Sequence, residues 1–355
     1  MLHVANPTFG EDELHNVIEC IRTGWISSQG SFVKQFEKEF AEYCGCKYAV
    51  ACSSGTAALH LALLAVGVGP GDEVIVPSYT FIATANAVAY CRATPMIVDV
   101  DPDYWGISLG QVEAAITPKT KAIIPVHLNG HPCDMAQLSA IANSRHLYII
   151  EDSAQALGAE YHGVKTGGLG HIGCFSFFAN KHITTGEGGM CVTNDESLFR
   201  RMCIFRDHGR TDPKLFKHDV VGYNYRMTNL QAAVGIPQLR RVDEIIAVKR
   251  TLTEKYREAL HFRTQMEMPW AKSSCWMYTC VVPEPDATKI AQALSQKGIE
   301  TKPNYIPVHM QLPYANNAHL PVSESLMNGF YLPTHQGVTD EDIELIASVC
   351  NHPNL

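Results

Sequence analysis

Short apolar runs recur along the first two-thirds of the chain, at residues 48–52, 73–77, 96–100, 122–127 and 148–152. They lie roughly 25 residues apart with helix-like segments between them, the rhythm of βα units that build a mostly parallel sheet. The connecting segments carry helical spacing. Phe32, Phe36 and Phe40 fall four apart on one face, and residues 56–66 are rich in strong helix formers. Beyond Leu239 the rhythm changes to a long polar helix through about Leu260, a strand-like run at 276–282, a helix at 286–297 and a closing helix from Thr339. The prediction is a large α/β domain over residues 1–244 and a smaller C-terminal α+β domain over 245–355. Repeats and low-complexity tracts are absent from the sequence.

Length and composition fit that division. A chain of 355 residues suits a large core plus a smaller one, and 46% hydrophobic with 18% charged residues is ordinary for a globular protein. The net charge of −8, with no basic tract, argues against nucleic acid as the main partner. The longest apolar stretch, 57–69, contains His60 and falls short of the roughly 20 residues of a membrane span. A membrane partner is therefore not expected. The start of the chain lacks a secretory pattern, and the twelve cysteines lack zinc-finger spacing, since Cys44-x-Cys46 has no second pair. The expectation is a cytoplasmic protein with reduced thiols and no metal site.

Candidate chemistry centres on Lys181, in the string Cys174-Phe175-Ser176-Phe177-Phe178-Ala179-Asn180-Lys181-His182-Ile183-Thr184-Thr185-Gly186-Glu187-Gly188-Gly189. A lysine directly after a buried strand and before small residues sits at the rim of a cavity. There it either snorkels to solvent or, desolvated, becomes a nucleophilic amine able to form a Schiff base, as in the covalent holding of pyridoxal phosphate (PLP). Ser53-Ser54-Gly55-Thr56 follows a strand and opens a helix, so it is either a plain N-cap or an anion seat. Glu151-Asp152 ends a strand with two carboxylates, of which only one can face inward. An inward Asp152 could hold a pyridinium nitrogen protonated; the alternative is a helix cap. Phe81 offers a ring after another strand, the 222–229 segment mixes aromatic and amide groups with one cation, and the proline-stiffened 302–309 segment reads as a substrate loop or a surface turn.

With these residues in hand the chain resembles, nearly end to end, the PLP-dependent sugar-nucleotide aminotransferases of the DegT/DnrJ/EryC1/StrS type, a branch of fold type I. The resemblance runs from Gly24-Trp25-Ile26-Ser27-Ser28-Gln29-Gly30 through Leu332-Pro333-Thr334-His335, with the Lys181 string as its most specific part. It implies a seven-stranded, mostly parallel sheet flanked by helices, with Lys181 as the Schiff-base lysine and Asp152 at the pyridine nitrogen. It further implies Gln155 near the ring hydroxyl, Phe81 stacked on the ring, and Gly55, Thr56 and Ser176 at the phosphate. Asn224 would reach the cofactor phosphate of a partner subunit, which implies a homodimer with shared active sites. Trp25, Ser28, Tyr305 and His309 would contact substrate.

Within that family the nearest resemblance is to the GDP-perosamine synthases. These aminate the C4 keto group of GDP-4-keto-6-deoxymannose with L-glutamate, releasing 2-oxoglutarate, for O-antigen and other surface polysaccharides. Trp25-Ile26-Ser27-Ser28, Asn180-Lys181, Trp276-Met277-Tyr278-Thr279 and Leu332-Pro333-Thr334-His335 carry that likeness. Gln155 stands where that subgroup is expected to have glutamate, and Asp207-His208-Gly209-Arg210 fits 4-aminotransferases more widely, so dTDP- and UDP-linked sugars stay open as substrates. Relatives that dehydrate sugars carry histidine at the lysine position; here the string puts Lys181, not His182, in that register. A silent regulatory relative is opposed by the intact Lys181 and Asp152.

Overall fold

The computed structural model describes residues 1–212 and 215–351. Its large sheet has seven strands: β1 (Tyr48–Cys52), β2 (Glu73–Pro77), β3 (Thr94–Val98), β4 (Thr120–Ile123), β5 (Tyr148–Asp152), β6 (Ile172–Ser176) and β7 (Gly189–Thr193). Their order across the sheet is β1-β7-β6-β5-β4-β2-β3. All pairings are parallel except those of β7, which runs antiparallel to both β1 and β6. Parallel neighbours need long crossovers, hence the helices between them; β6 and β7 are joined by the 177–188 loop alone.

Strand side chains alternate between two cores. On β1, Val50 and Cys52 pack with the Gly55–Ala65 helix, while Ala49 and Ala51 face Phe36 and Phe40 of the Ser31–Cys44 helix together with Ile236 and Leu239 of the Asn229–Arg240 helix. Phe36 and Phe40 are fully buried, whereas Phe32 packs only partly. The Gly55–Ala65 helix is buried nearly all round, so its sequence reads as an apolar run rather than a stripe.

Some boundaries differ from the apolar runs. β3 starts at Thr94 and ends at Val98, and β4 spans Thr120–Ile123 rather than 122–127. Pro125 cannot donate to a ladder, and a 3₁₀ turn follows at Leu128–Gly130. The C-terminal strand begins at Tyr278, because Cys275 adopts a left-handed φ of 51° that leaves Trp276 and Met277 in a loop.

The C-terminal unit is a four-stranded antiparallel sheet in the order Arg263–Thr264, Tyr278–Val281, Gly329–Leu332, Lys302–Pro303. The Asp286–Gln296 and Asp340–Asn351 helices cover it. The long polar helix expected beyond Leu239 is Val242–Ala259, and the Asn229–Arg240 helix leads directly into it. The Val242–Ala259 helix joins both cores: Val242 and Ile246 pack against the large sheet, Leu252 and Tyr256 against the small one. A division after residue 244 falls inside that helix. The N-terminus also meets the C-terminal unit, where Leu2 N donates to Gly298 O and Glu300 N to Leu2 O. Among the described residues no helix is long and apolar enough to cross a membrane, and no His, Cys, Asp and Glu group is arranged to hold a metal.

Candidate active site

Parallel α/β sheets place their ligand sites beyond the carboxyl ends of the strands. Here that edge opens on a cavity of about 310 Å³. Its wall combines Gly55 and Thr56 at a helix start, Phe81 after β2, Asp152 and Gln155 at the end of β5, Ser176 at the end of β6, and Lys181. Trp276, Tyr305 and Tyr331 complete it from the C-terminal unit.

Lys181 is carried by the β6–β7 loop rather than directly by the strand end. Phe177 N donates to Gly188 O and Thr185 N to Phe177 O, so the loop folds back on itself between neighbouring strands. Lys181 N donates to Phe178 O at 2.9 Å, closing the turn that presents the side chain. Its Nζ lies 4.1 Å from the centre of the Trp276 ring. Trp276 Nε1 in turn donates to Asn180 O at 2.7 Å, so the indole is tied to the residue preceding the lysine. Burial lowers the Lys181 amine from its ordinary value to about 8, with the Asp152 charge opposing the shift. An appreciable share of neutral, nucleophilic amine therefore exists near neutral pH.

The two carboxylates of β5 separate as strand alternation requires. Asp152 faces the cavity, its Oδ2 accepting from Thr84 Oγ1 at 2.7 Å and its Oδ1 from Ala154 N at 3.2 Å. Glu151 faces away and is fully buried, accepting from Gly167 N, Leu169 N, Gly170 N and His127 Nε2. Cys133 N points at His127 Nδ1 at 3.0 Å, which holds the ring proton on Nε2. Burial pushes Asp152 above the usual carboxylate range, with Thr84, Ala154 N and Lys181 pulling it back. Burial outweighs these partners, so a further cation on the cavity side would favour the ionised carboxylate.

Ser54 caps the helix, and the helix start beside it could hold an anion. Ser54 Oγ accepts from Ala57 N at 3.1 Å and Ser54 O from Ala58 N at 3.0 Å. Of the four N–H groups that a helix start leaves without helical partners, those of Gly55 and Thr56 remain for a ligand, at the positive end of the helix dipole. Ser176 closes on this point: a Cβ added to Gly55 would lie 2.7 Å from Ser176 Cβ. Glycine permits that approach.

Phe81 is 56% exposed and stands at the cavity mouth, its ring centroid 6.2 Å from that of Tyr305. Gln155 is committed on both ends, its Oε1 accepting from Asn129 N at 2.8 Å and its Nε2 donating to Tyr305 OH at 3.2 Å. Four of the sequence-derived candidates do not line this cavity. Trp25 is 57% exposed and its carbonyl accepts from Asn229 Nδ2. Ser28 lies in the turn before the Ser31–Cys44 helix. Asn224 is exposed, with Oδ1 accepting from Arg226 Nε; Arg226 and Arg210 both pair with Asp207. His309 is buried between Ser78 Oγ at 2.6 Å and Glu324 Oε1 at 3.3 Å.

The structure adds residues that the sequence did not single out. Thr84 orients Asp152; its position one helical turn after Phe81 was the available signal. Tyr331 reaches the wall from the C-terminal sheet and the ring of Trp276 from the loop before it; the sequence marked Trp276 only as part of a string carrying the family likeness, and nothing local marks Tyr331.

The profile of the DegT/DnrJ/EryC1/StrS aminotransferase family matches residues 7–350. The GDP-perosamine synthase of Caulobacter vibrioides is 46% identical, covering 97% of this chain and 96% of its own length. Among solved structures, S. venezuelae DesV, captured with a ketimine intermediate, superposes with a TM-score of 0.92 at 33% identity, covering 97% and 95% of the two chains. A DegT DnrJ EryC1 StrS aminotransferase from Brucella abortus superposes with a TM-score of 0.91 at 32% identity, covering 96% and 95%. A buried amine, an inward carboxylate and an anion seat on one cavity, on this fold, agree with those likenesses: the chain belongs to the DegT/DnrJ/EryC1/StrS aminotransferase family and is a PLP-dependent aminotransferase.

Proposed function

We propose that this cavity seats PLP on Lys181 and that the enzyme aminates the C4 keto carbon of a nucleotide-linked 4-keto-6-deoxy sugar with L-glutamate as donor. The reaction we favour converts GDP-4-keto-6-deoxymannose to GDP-perosamine, for surface polysaccharide. One observation carries the reading: the Lys181 amine, the Asp152 carboxylate and the free N–H groups of Gly55 and Thr56 face the same cavity. The name of the Caulobacter relative supports the choice of sugar nucleotide.

The residues fit the cofactor in three places. The phosphate would be held by the N–H groups of Gly55 and Thr56 and by the Ser176 hydroxyl, which line the cavity. A protonated ring nitrogen would add to the charge of Lys181 in offsetting the burial of Asp152. The aldehyde is met by Lys181. Bound there, PLP supplies an electron sink for negative charge at the amine-bearing carbon. Phe81 would cover one ring face, and Gln155 would act near the ring hydroxyl while fixing Tyr305.

Once released by an incoming amine, Lys181 serves as the base that takes a proton from the donor carbon and as the acid that returns one. A pKa near 8 suits both duties at neutral pH. Trp276, Tyr305 and Tyr331 shield that proton from bulk water. Amination is favoured over dehydration because His182 is turned from this cavity, with Nε2 against Ser274 O at 3.0 Å. Asn224 is proposed to act on the cavity of a second copy in a homodimer. Trp25, Ser28 and His309, none of which lines the cavity of its own chain, would contact substrate from outside it.

The test is direct. Purified protein loaded with PLP is yellow and bleaches with L-glutamate; it is then offered GDP-, dTDP- and UDP-linked 4-keto-6-deoxy sugars, with products identified by mass and NMR. Amination of the GDP sugar is expected. Preference for another nucleotide overturns the substrate choice, and amination of none overturns the reading.

A further inference from the structure

Trp276 is 1% exposed, yet its indole contributes to the cavity wall and carries two specific relationships. Its N–H is fixed to Asn180 O at 2.7 Å, and its face receives Lys181 Nζ at 4.1 Å from the ring centre. A cation at that distance over an indole face is attracted by the ring quadrupole. The backbone behind it is held as well: Lys249, buried in the Val242–Ala259 helix, donates through Nζ to Trp276 O at 3.1 Å and to Thr334 O. Thr334 Oγ1 accepts from Tyr278 N at 3.1 Å, which ties the loop to the small sheet.

We propose that Trp276 is a positioning residue for Lys181: its indole face is the resting place of the lysine ammonium whenever the amine is not bonded to the cofactor. This deepens the function proposed above and rests on Lys181 as the reactive amine. The ring contributes differentially to the two protonation states. It attracts the ammonium and is indifferent to the neutral amine, so it raises the Lys181 pKa against the lowering effect of burial.

Other charges around the amine are accounted for. Asp152 raises its pKa from across the cavity. His182 is kept neutral by burial and by nearby cations, and Lys249 stands behind the Trp276 backbone. Glu187, Tyr305 and Tyr331 line the cavity wall. Tyr331 packs its ring against Trp276 with the centroids 6.1 Å apart, and among the described residues Lys181 is the one cation placed over the indole.

The experiment uses apoenzyme and reads PLP capture instead of turnover. The second-order rate of Schiff-base formation, followed by absorbance against pH, reports the fraction of Lys181 present as free amine. Wild type gives the reference pKa. Trp276→Leu removes the ring face and is expected to lower that pKa by about one unit. Trp276→Phe keeps a face while losing the N–H, and is expected to fall between the two. Because a buried tryptophan can be needed for folding, a second arm leaves the shape intact: fluorinated tryptophan in otherwise wild-type chain weakens the ring face and lowers the pKa, and the same labelling in Trp276→Phe has no effect. An unchanged pKa in the fluorinated wild type overturns the proposal while leaving Lys181 as the Schiff-base residue. Failure of wild type to capture PLP overturns the underlying reading instead.

Discussion

Glu151 and Asp152 are neighbours in the chain that meet opposite electrostatic fates. Glu151 turns into protein and is satisfied by three backbone N–H groups and His127, while Asp152 turns into the cavity with one hydroxyl and one N–H. The pair predicts a clean separation of roles. Glu151→Gln should destabilise the fold by ~2–4 kcal/mol, since it removes a buried charge from four donors, and should be visible in urea unfolding. Asp152→Asn should leave the unfolding midpoint near wild type and cut turnover at least ~100-fold, with PLP still captured.

Lys181→Ala should abolish turnover, and borohydride should no longer fix the cofactor to the peptide containing residue 181. A variant that transaminates at a normal rate would sink the assignment of the amine. His182→Asn, by contrast, should still aminate, with its product unchanged by mass.

The approach of Ser176 to Gly55 makes a third forecast. Gly55→Ala introduces a Cβ 2.7 Å from Ser176 Cβ, so one strand end or the helix start must shift. PLP affinity should fall about tenfold or more, at a cost of ~1–3 kcal/mol of overpacking. The double variant Gly55→Ala, Ser176→Gly restores room, and fluorescence titration should show affinity partly recovered.

Lys249 gives a pH prediction with a definite sign. Burial lowers its pKa from 10.5 to about 8, and it bonds carbonyls with no carboxylate pair among the described residues. Between pH 8 and 10.5 the unfolded chain holds this proton and the native one releases it, so the lysine's contribution to stability rises with pH there. Buried thiols and phenols pull the other way in the same range. The informative quantity is therefore the difference between wild type and Lys249→Met, which cancels them. That difference should shift in favour of wild type by up to ~3 kcal/mol from pH 8 to 10 in urea midpoints.

The sheet was legible because each strand is a compact apolar run flanked by turn residues, and β1, β2 and β5 fall on the expected residues. Strands β3 and β4 shifted where Pro125 and local turns, not apolarity, decide the end. At the site, residues at or after strand ends were readable, because fold chemistry concentrates there: Gly55, Asp152, Ser176 and Lys181 line one cavity, as the family likeness implied. Trp276 and Tyr331 were not, since their place on the wall depends on how a second sheet packs. For the Glu151-Asp152 pair, strand alternation allowed only one inward carboxylate and the family likeness named Asp152; the physical reason lay in the fold. The orientation is decided by the backbone N–H groups of 167, 169 and 170, which gather on one side of β5.

The hairpin between β6 and β7 fixes the length of the segment that carries Lys181. Among the connections of the large sheet it alone links adjacent antiparallel strands, and the reactive amine rides on it, clamped at Ser176 and Gly189. A loop pinned at both ends tolerates little change in length without moving what it carries. An insertion or deletion between 177 and 188 would therefore displace Lys181 from Asp152 and the Gly55 helix start, which reach the same cavity from other strand ends.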